Sequence, residues 1–356
     1  MNISRRSAMK LVLSVGAVAS FFGVKSYVEN RKGYSLIKEG NLNNYISKGD
    51  FSVSGIVSNA PTKSGFLKVD VFGDNGKCVI QQFFDEEDPR ILMIRRRSNG
   101  GDWSGWGSPV SNNQLRFLDK KIICLGDSIT GSFDWPQKLQ KQLVGNVSNF
   151  GISGTTAADV HGDFGFLSLC KISEAINDGN WVPLKDAAIR IRDGGLGQDY
   201  TKTIDGLAGT DWSTVDYVII SFGTNDYGKN VPIGNDDLSQ KTFKGSFNYS
   251  IEKITKRNPN IQILTSTPLW RIKGIVDGEL KDSDSSVNSE GVSLIDYVDS
   301  VISTSRSNKI PYIDLYRKSG INKLNYEHFF IDGLHPSEFG TDRISEKISS
   351  FILSNY

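Results

Sequence analysis

Hydrophobic and polar positions change rhythm once along this chain, close to residue 115. Before that point apolar residues alternate with polar ones over residues 51–57, 66–72, 79–84 and 91–95, separated by Gly, Asn, Asp and Pro. Period-two alternation broken by turn formers predicts the short strands of a small antiparallel β domain, residues 34–115. Beyond it, short apolar runs predict strands over 121–125, 147–150, 216–222, 261–266 and 310–315. Amphipathic stretches between them predict helices over 135–144, 237–257, 291–306 and 338–353. Strands alternating with helices imply a parallel sheet covered on both faces, an α/β unit over residues 116–356. Two stretches interrupt the alternation. Residues 158–212 are long and Gly-rich, with a helix predicted near 166–177, and residues 268–290 are polar and rich in Ser and Asp. Insertions of that size at strand carboxyl ends shape clefts. Trp135, Trp181, Trp212 and Trp270 lie in or beside them and are candidates for sugar contact, with core packing the competing reading for each.

Four short segments then supply chemistry: Gly126-Asp127-Ser128-Ile129, Gly151-Ile152-Ser153-Gly154, Gly223-Thr224-Asn225-Asp226 and Asp332-Gly333-Leu334-His335-Pro336. Ser128 follows the end of a buried strand, where open α/β sheets place their ligands. A hydroxyl is a weak nucleophile at neutral pH and needs a base within reach and a third group to orient that base. The chain has three histidines, His161, His328 and His335. His335 stands three residues after Asp332, so a carboxylate can hold one ring nitrogen while the other faces Ser128. The oxyanion of a tetrahedral intermediate needs donors, each worth about 3–4 kcal/mol. The backbone N–H groups of Gly154 and Ser128 and the side-chain amide of Asn225 are the candidates. Taken singly, these segments read as ordinary turns and helix caps. Taken together, they offer a nucleophile, oxyanion donors and an acid–base pair. His161 and His328 read as surface or satisfied core histidines, and no His/Cys/Asp cluster has metal-ligand spacing.

These blocks resemble those of the SGNH hydrolases, also called the GDSL esterase/lipase superfamily, over about residues 120–356. The four namesake residues fall on Ser128, Gly154, Asn225 and His335, with Asp332 as the acid of the DxxH block. The resemblance implies a flavodoxin-like three-layer α/β/α sandwich and a serine esterase that uses no cofactor or metal. Within residues 34–115, Asn41-Leu42-Asn43-Asn44, Gly65-Phe66-Leu67, Gln81-Gln82-Phe83-Phe84, Ile94-Arg95 and Trp103-Ser104-Gly105-Trp106 are similar to the knob domain of phage tail fibres and pyocins. That likeness implies a receptor- or glycan-facing role, although Trp103 and Trp106 serve equally well to close a β core.

A chain of 356 residues with a net charge of +1 buries a full core and carries no electrostatic footprint for nucleic acid. The basic triplet Arg95-Arg96-Arg97 reads as a solvated strand end. Three cysteines, Cys78, Cys124 and Cys170, form no paired framework, and Cys124 reads as a small core residue. At the amino terminus Arg5-Arg6 and Lys10 precede an apolar run over residues 11–24, with Ala17-Val18-Ala19 as a cleavage site. This predicts an export signal or membrane anchor over residues 1–25, of a kind that resembles twin-arginine signals. The protein is thus expected to be exported, and the expected partner is an ester, an O-acetylated glycan of a bacterial surface first. A lipase or general carboxylesterase, and a phage tail-type adhesin with an accessory esterase domain, are the alternatives. The sequence leaves the oligomeric state open.

Overall fold

The computed structural model describes residues 34–356 apart from 73–77, 88–91, 99, 108–113, 115, 118–119, 161, 197 and 277–278. The predicted export segment, residues 1–25, and His161 lie outside the described residues. The chain divides into two compact units, one ending at Leu115 and the other Arg116–Tyr356.

The first unit is one five-stranded sheet in chain order, β1 (Ser35–Asn41), β2 (Gly49–Ser58), β3 (Ser64–Phe72), β4 (Cys78–Asp85) and β5 (Leu92–Ser98). β2 to β5 pair antiparallel, as the alternation predicts. β1 differs: it is a strand the pattern does not announce, and it pairs parallel with β2. Its sequence, Ser-Leu-Ile-Lys-Glu-Gly-Asn, buries only Ile37 on one face, so an edge strand leaves too little alternation to read. The chain segment that returns from β1 is fastened from below. Gln81 Nε2 donates to Leu42 O at 2.6 Å and to Tyr45 O at 2.8 Å. Gln81 Oε1 accepts from Arg95 Nε at 2.8 Å.

Arg95 corrects the solvated-triplet reading. It is 4% exposed, and its guanidinium lies 4.5 Å from the Trp103 ring centroid and 4.4 Å from that of Trp106. Period two explains this, because Arg95 points inward while Arg96 is exposed. Burial lowers its pKa to about 10. Both indole N–H groups bond to this unit's own backbone, Trp103 to Asn43 O at 3.2 Å and Trp106 to Asn59 O at 2.7 Å. The two tryptophans therefore close the core around an arginine.

The second unit is built on a parallel sheet in which Tyr312–Ile313, Gln262–Ser266, Tyr217–Ser221, Lys121–Gly126 and Asn146–Asn149 lie side by side in that order. Its strands are β6 (Lys121–Gly126), β7 (Asn146–Asn149), β8 (Tyr217–Ser221), β9 (Gln262–Ser266) and β12 (Tyr312–Ile313). Counted from β6, this is the flavodoxin order 2-1-3-4-5, with the switch point between β6 and β8. Ile122, Cys124 and Leu125 in β6 and Val218, Ile219 and Ile220 in β8 are fully buried. Strands buried on both faces need such unbroken apolar runs. Helices cover the sheet in two layers. In one, α1 (Trp135–Leu143) packs on α7 (Glu338–Asn355); in the other, α5 (Phe243–Arg257) packs on α2 (Leu169–Asp178) and α6 (Leu294–Ser307). The architecture is thus the three-layer α/β/α sandwich.

The insertions hold more structure than their composition suggests. The first carries α3 (Val182–Asp193) and α4 (Thr201–Gly209) besides α2, and the second carries an antiparallel hairpin, β10 (Ile272–Val276) and β11 (Glu279–Asp282). Trp135, Trp212 and Trp270 are core residues, 1–3% exposed, which removes them as sugar contacts; Trp181 is half-buried against the same core. α5 begins at Phe243 rather than at 237, because the residues before it bind elsewhere. Gln240 O accepts the Asp159 N–H at 2.8 Å, and Lys241 Nζ donates to Asp159 O at 2.6 Å.

Candidate active site

Ser128 opens a single helical turn, Ser128–Gly131, directly after β6. Asp127 caps that turn, its Oδ1 accepting the Ile129 N–H at 2.9 Å. The turn lifts the Ser128 hydroxyl above the carboxyl edge of the sheet, beside the switch point. His335 meets it from the loop before α7. Ser128 Oγ and His335 Nε2 are 3.1 Å apart, and His335 Nδ1 and Asp332 Oδ2 are 2.7 Å apart. Asp332 Oδ1 also accepts the backbone N–H groups of Leu334 at 3.0 Å and His335 at 2.7 Å. Such a tight loop requires Gly333, which sits at φ +81° with Ile272 pressed against it. A Cβ there would come within 2.8 Å of the Ile272 side chain. Ile272 N–H in turn donates to Gly333 O at 2.8 Å, so the β10–β11 hairpin braces the catalytic loop. Ser337 fixes its other end, donating to His328 O at 2.8 Å and capping α7 through the Gly340 N–H at 3.3 Å. Phe133 stacks on the His335 ring with centroids 5.7 Å apart.

The charge pattern suits a base oriented by an ionised acid. Burial raises the Asp332 pKa, but the His335 ring and the two backbone N–H groups outweigh it and hold the carboxyl below its ordinary range. With Asp332 ionised, the hydrogen bond to Nδ1–H leaves Nε2 free to accept the Ser128 proton.

Facing the serine is the loop after β7. Gly154, at φ +80°, has the Phe164 ring 3.4 Å from where a Cβ would stand. Asn225 comes from the single turn Thr224–Gly228 after β8 and donates one Nδ2–H to Thr155 O at 2.9 Å. Its second Nδ2–H, the Gly154 N–H and the Ser128 N–H donate to no acceptor among the described residues. Three donors from three adjacent strand ends are thus left over, on the same side of the sheet as the serine.

Two buried carboxylates that the sequence reading passed over stand beneath this arrangement. Asp226 accepts the Ala157 N–H at 3.0 and 3.1 Å and the Ala158 N–H at 3.4 Å, and burial pushes its pKa up to about 7. Asp127 is pushed up to about 6 by its own burial. Both lie inside the quoted segments, Asp127 beside Ser128 and Asp226 beside Asn225, where sequence marks their type but not their burial. Arg271, also unnoticed in sequence, bonds Thr224 O at 3.3 Å and Thr224 Oγ1 at 3.0 Å. Burial depresses its pKa, opposed by Tyr227, Asp127 and Asp332 nearby. His328 takes no part: it is exposed and stacks on Phe339 with centroids 4.1 Å apart. Among the described residues no group of His, Cys, Asp and Glu could hold a metal ion, and no helix is long and apolar enough to cross a membrane.

Solved structures and one family model are similar to the second unit of this chain. One solved structure is 25% identical with a TM-score of 0.50, covering 67% of this chain and 98% of its own. A Lactobacillus plantarum protein is 20% identical with a TM-score of 0.49, again over 67% of this chain and 98% of its own. The lipase/acylhydrolase from Enterococcus faecalis is 19% identical with a TM-score of 0.38, over 66% and 96%. No curated protein matches the chain. The model of the GDSL-like lipase/acylhydrolase family matches residues 124–343, a span that holds Ser128, Gly154, Asn225, Asp332 and His335. This chain belongs to that family of ester hydrolases.

Proposed function

We propose that the protein removes O-acetyl groups from a bacterial surface polysaccharide, with Ser128 as nucleophile, His335 as general base and acid, and Asp332 as its orienting partner. The observation that carries the mechanism is the bonded series Asp332–His335–Ser128, with three N–H donors left unused at adjacent strand ends. Ser128 Oγ attacks the ester carbonyl carbon while His335 Nε2 takes its proton. The carbonyl oxygen becomes an oxyanion held by the N–H groups of Gly154 and Ser128 and by Asn225 Nδ2. Collapse breaks the carbon–oxygen bond to the sugar, and the proton on His335 goes to the departing alkoxide. Water, deprotonated by His335, then attacks the acyl-serine, releasing acetate and restoring Ser128. Asp332 stays ionised throughout and stabilises the imidazolium.

The choice of substrate rests on sequence. Export through residues 1–25 and a β unit similar to tail-knob domains both favour a substrate outside the cell, and an O-acetylated glycan is an accessible ester there. Acetate release measured across a panel of O-acetylated polysaccharides tests this reading. Release from at least one of them at a rate well above that from long-chain acyl esters is expected. A preference for the acyl esters would make the protein a lipase instead.

A further inference from the structure

One short helix grips the loop that carries Gly154 at three points. From Thr224–Gly228 and the residue just past its end, Asn225 bonds Thr155 O, Asp226 bonds the N–H groups of Ala157 and Ala158, and Lys229 Nζ donates to Gly154 O. Next to it, the Tyr200 hydroxyl donates to Ser153 O at 3.3 Å. The Gly154 N–H therefore lies between two carbonyls that are both held, one by Tyr200 and one by Lys229. Glycine has the widest backbone freedom of any residue, so a glycine donor is preorganised only if its neighbouring peptide groups are fixed from outside. Lys229 is also half-buried with its ammonium 5.5 Å from the Phe164 ring centroid, and it forms no ion pair among the described residues. Drawing an ammonium half out of water without a bonded carboxylate is costly. The Gly154 carbonyl and the aromatic face are what receive it.

We propose that Lys229 is a positioning residue for the oxyanion hole: its protonated ammonium fixes the Gly154 peptide and adds positive charge beside the forming oxyanion. The proposal rests on the reading of Gly154 as an oxyanion donor to an ester attacked by Ser128. The charge requirement makes it testable by pH. Burial pulls the Lys229 amine below its ordinary range, opposed by Asp226 on the same helix. The other elements against it bring little that titrates nearby. The glycine loop offers a carbonyl, Phe164 offers a ring, its neighbour Asp163 is engaged by Arg190 at 2.8 Å, and Tyr200 bonds Ser153. Activity should then fall as alkaline pH strips the proton from Lys229.

Acetate release from p-nitrophenyl acetate by the full chain, from about pH 6 to about pH 10, tests this against the ordinary lysine value of about 10.4. Four proteins are compared: wild type, Lys229→Met, Lys229→Arg and Ser128→Ala, the last supplying the uncatalysed background. Lys229→Met is expected to lower kcat roughly 10- to 100-fold with KM within about twofold, and to lose the alkaline fall. Lys229→Arg keeps charge and donors, so it should restore most of kcat and push the fall beyond the range. An unchanged kcat in Lys229→Met, or a lowered kcat with the wild-type alkaline fall intact, overturns the proposal. Hydrolysis by Ser128→Ala at the wild-type rate would overturn the serine assignment itself, a separate failure.

Discussion

Ser128 Oγ stands 3.1 Å from His335 Nε2 and is the bond-forming atom of the proposed reaction, so its removal deletes that atom and little packing. Ser128→Ala should abolish turnover of p-nitrophenyl acetate and leave the melting temperature near that of wild type. Undiminished turnover would end the nucleophile assignment. Asn225→Ala probes a different step. One of its amide hydrogens is spent on Thr155 O, and under the proposed mechanism the other meets charge only when the oxyanion forms. A loss of roughly 10²–10³ in kcat with little change in KM is expected, whereas a rise in KM alone would make Asn225 a ground-state binding group. That Ser128, His335 and Asp332 come together was legible in sequence, because the proposed chemistry needs those residue types in one place. Lys229, Arg271 and Asp226 were not, since a charged residue past a strand looks the same whether it is solvated or buried. Arg95 makes the point sharply: it sits in a basic triplet, and only the pleat of β5 decides that it goes inward.

The elements that position the site differ in how plainly the sequence announces them. Strands β6 and β8 are apolar runs with no other reading, and helix α7 has a clear amphipathic face. The β10–β11 hairpin is hidden in a polar stretch: Ile272 enters the core and its N–H bonds Gly333 O, contacts that no alternation in the segment announces. Helix α5 is over-read at its start because Gln240 and Lys241 are bonded to Asp159, a tertiary contact that no local pattern records. The helix Thr224–Gly228 is only five residues long, yet it holds much of the chemistry. Its Asp226 has a folded-state pKa raised to about 7 by burial, against about 3.9 in the unfolded chain. For an acid shifted upward, the folded state holds its proton more tightly, so stability is fully present below about pH 3.9 and is lost as pH rises through about 7. Asp127, raised to about 6, acts in the same direction. Asp226→Asn stays neutral and still offers an oxygen to the Ala157 N–H. The melting temperature of the variant minus that of wild type should therefore increase from pH 5 to pH 8. A difference that is flat or falls over that interval would show that Asp226 is not the group that titrates.

Across the whole chain, the strand order places Ser128 and Asn225 just past the two strands that flank the switch point and Gly154 past the next, while Asp332 and His335 arrive on the loop before α7. Every group named in the chemistry belongs to residues 116–356. Phe117, 1% exposed, packs in that unit's own core, and Arg116 Nη1 donates to Tyr356 O at 2.8 Å, which ties both ends of the unit together. A chain starting at Arg116 should accordingly fold alone and hydrolyse a small soluble ester at the full-length rate. The β unit has its own closed core around Arg95 and contributes no catalytic group, so its effect belongs to substrates large enough to be held twice. On a polymeric O-acetylated glycan the shortened chain should show a raised KM with kcat little changed, as the loss of the second contact proposed for the β unit would lower effective concentration. Kinetics of both forms on the small ester and on the polymer separate the cases. Equal KM values on every polymer would leave the β unit as a spacer, and an inactive soluble fragment would mean that residues before Arg116 complete the site.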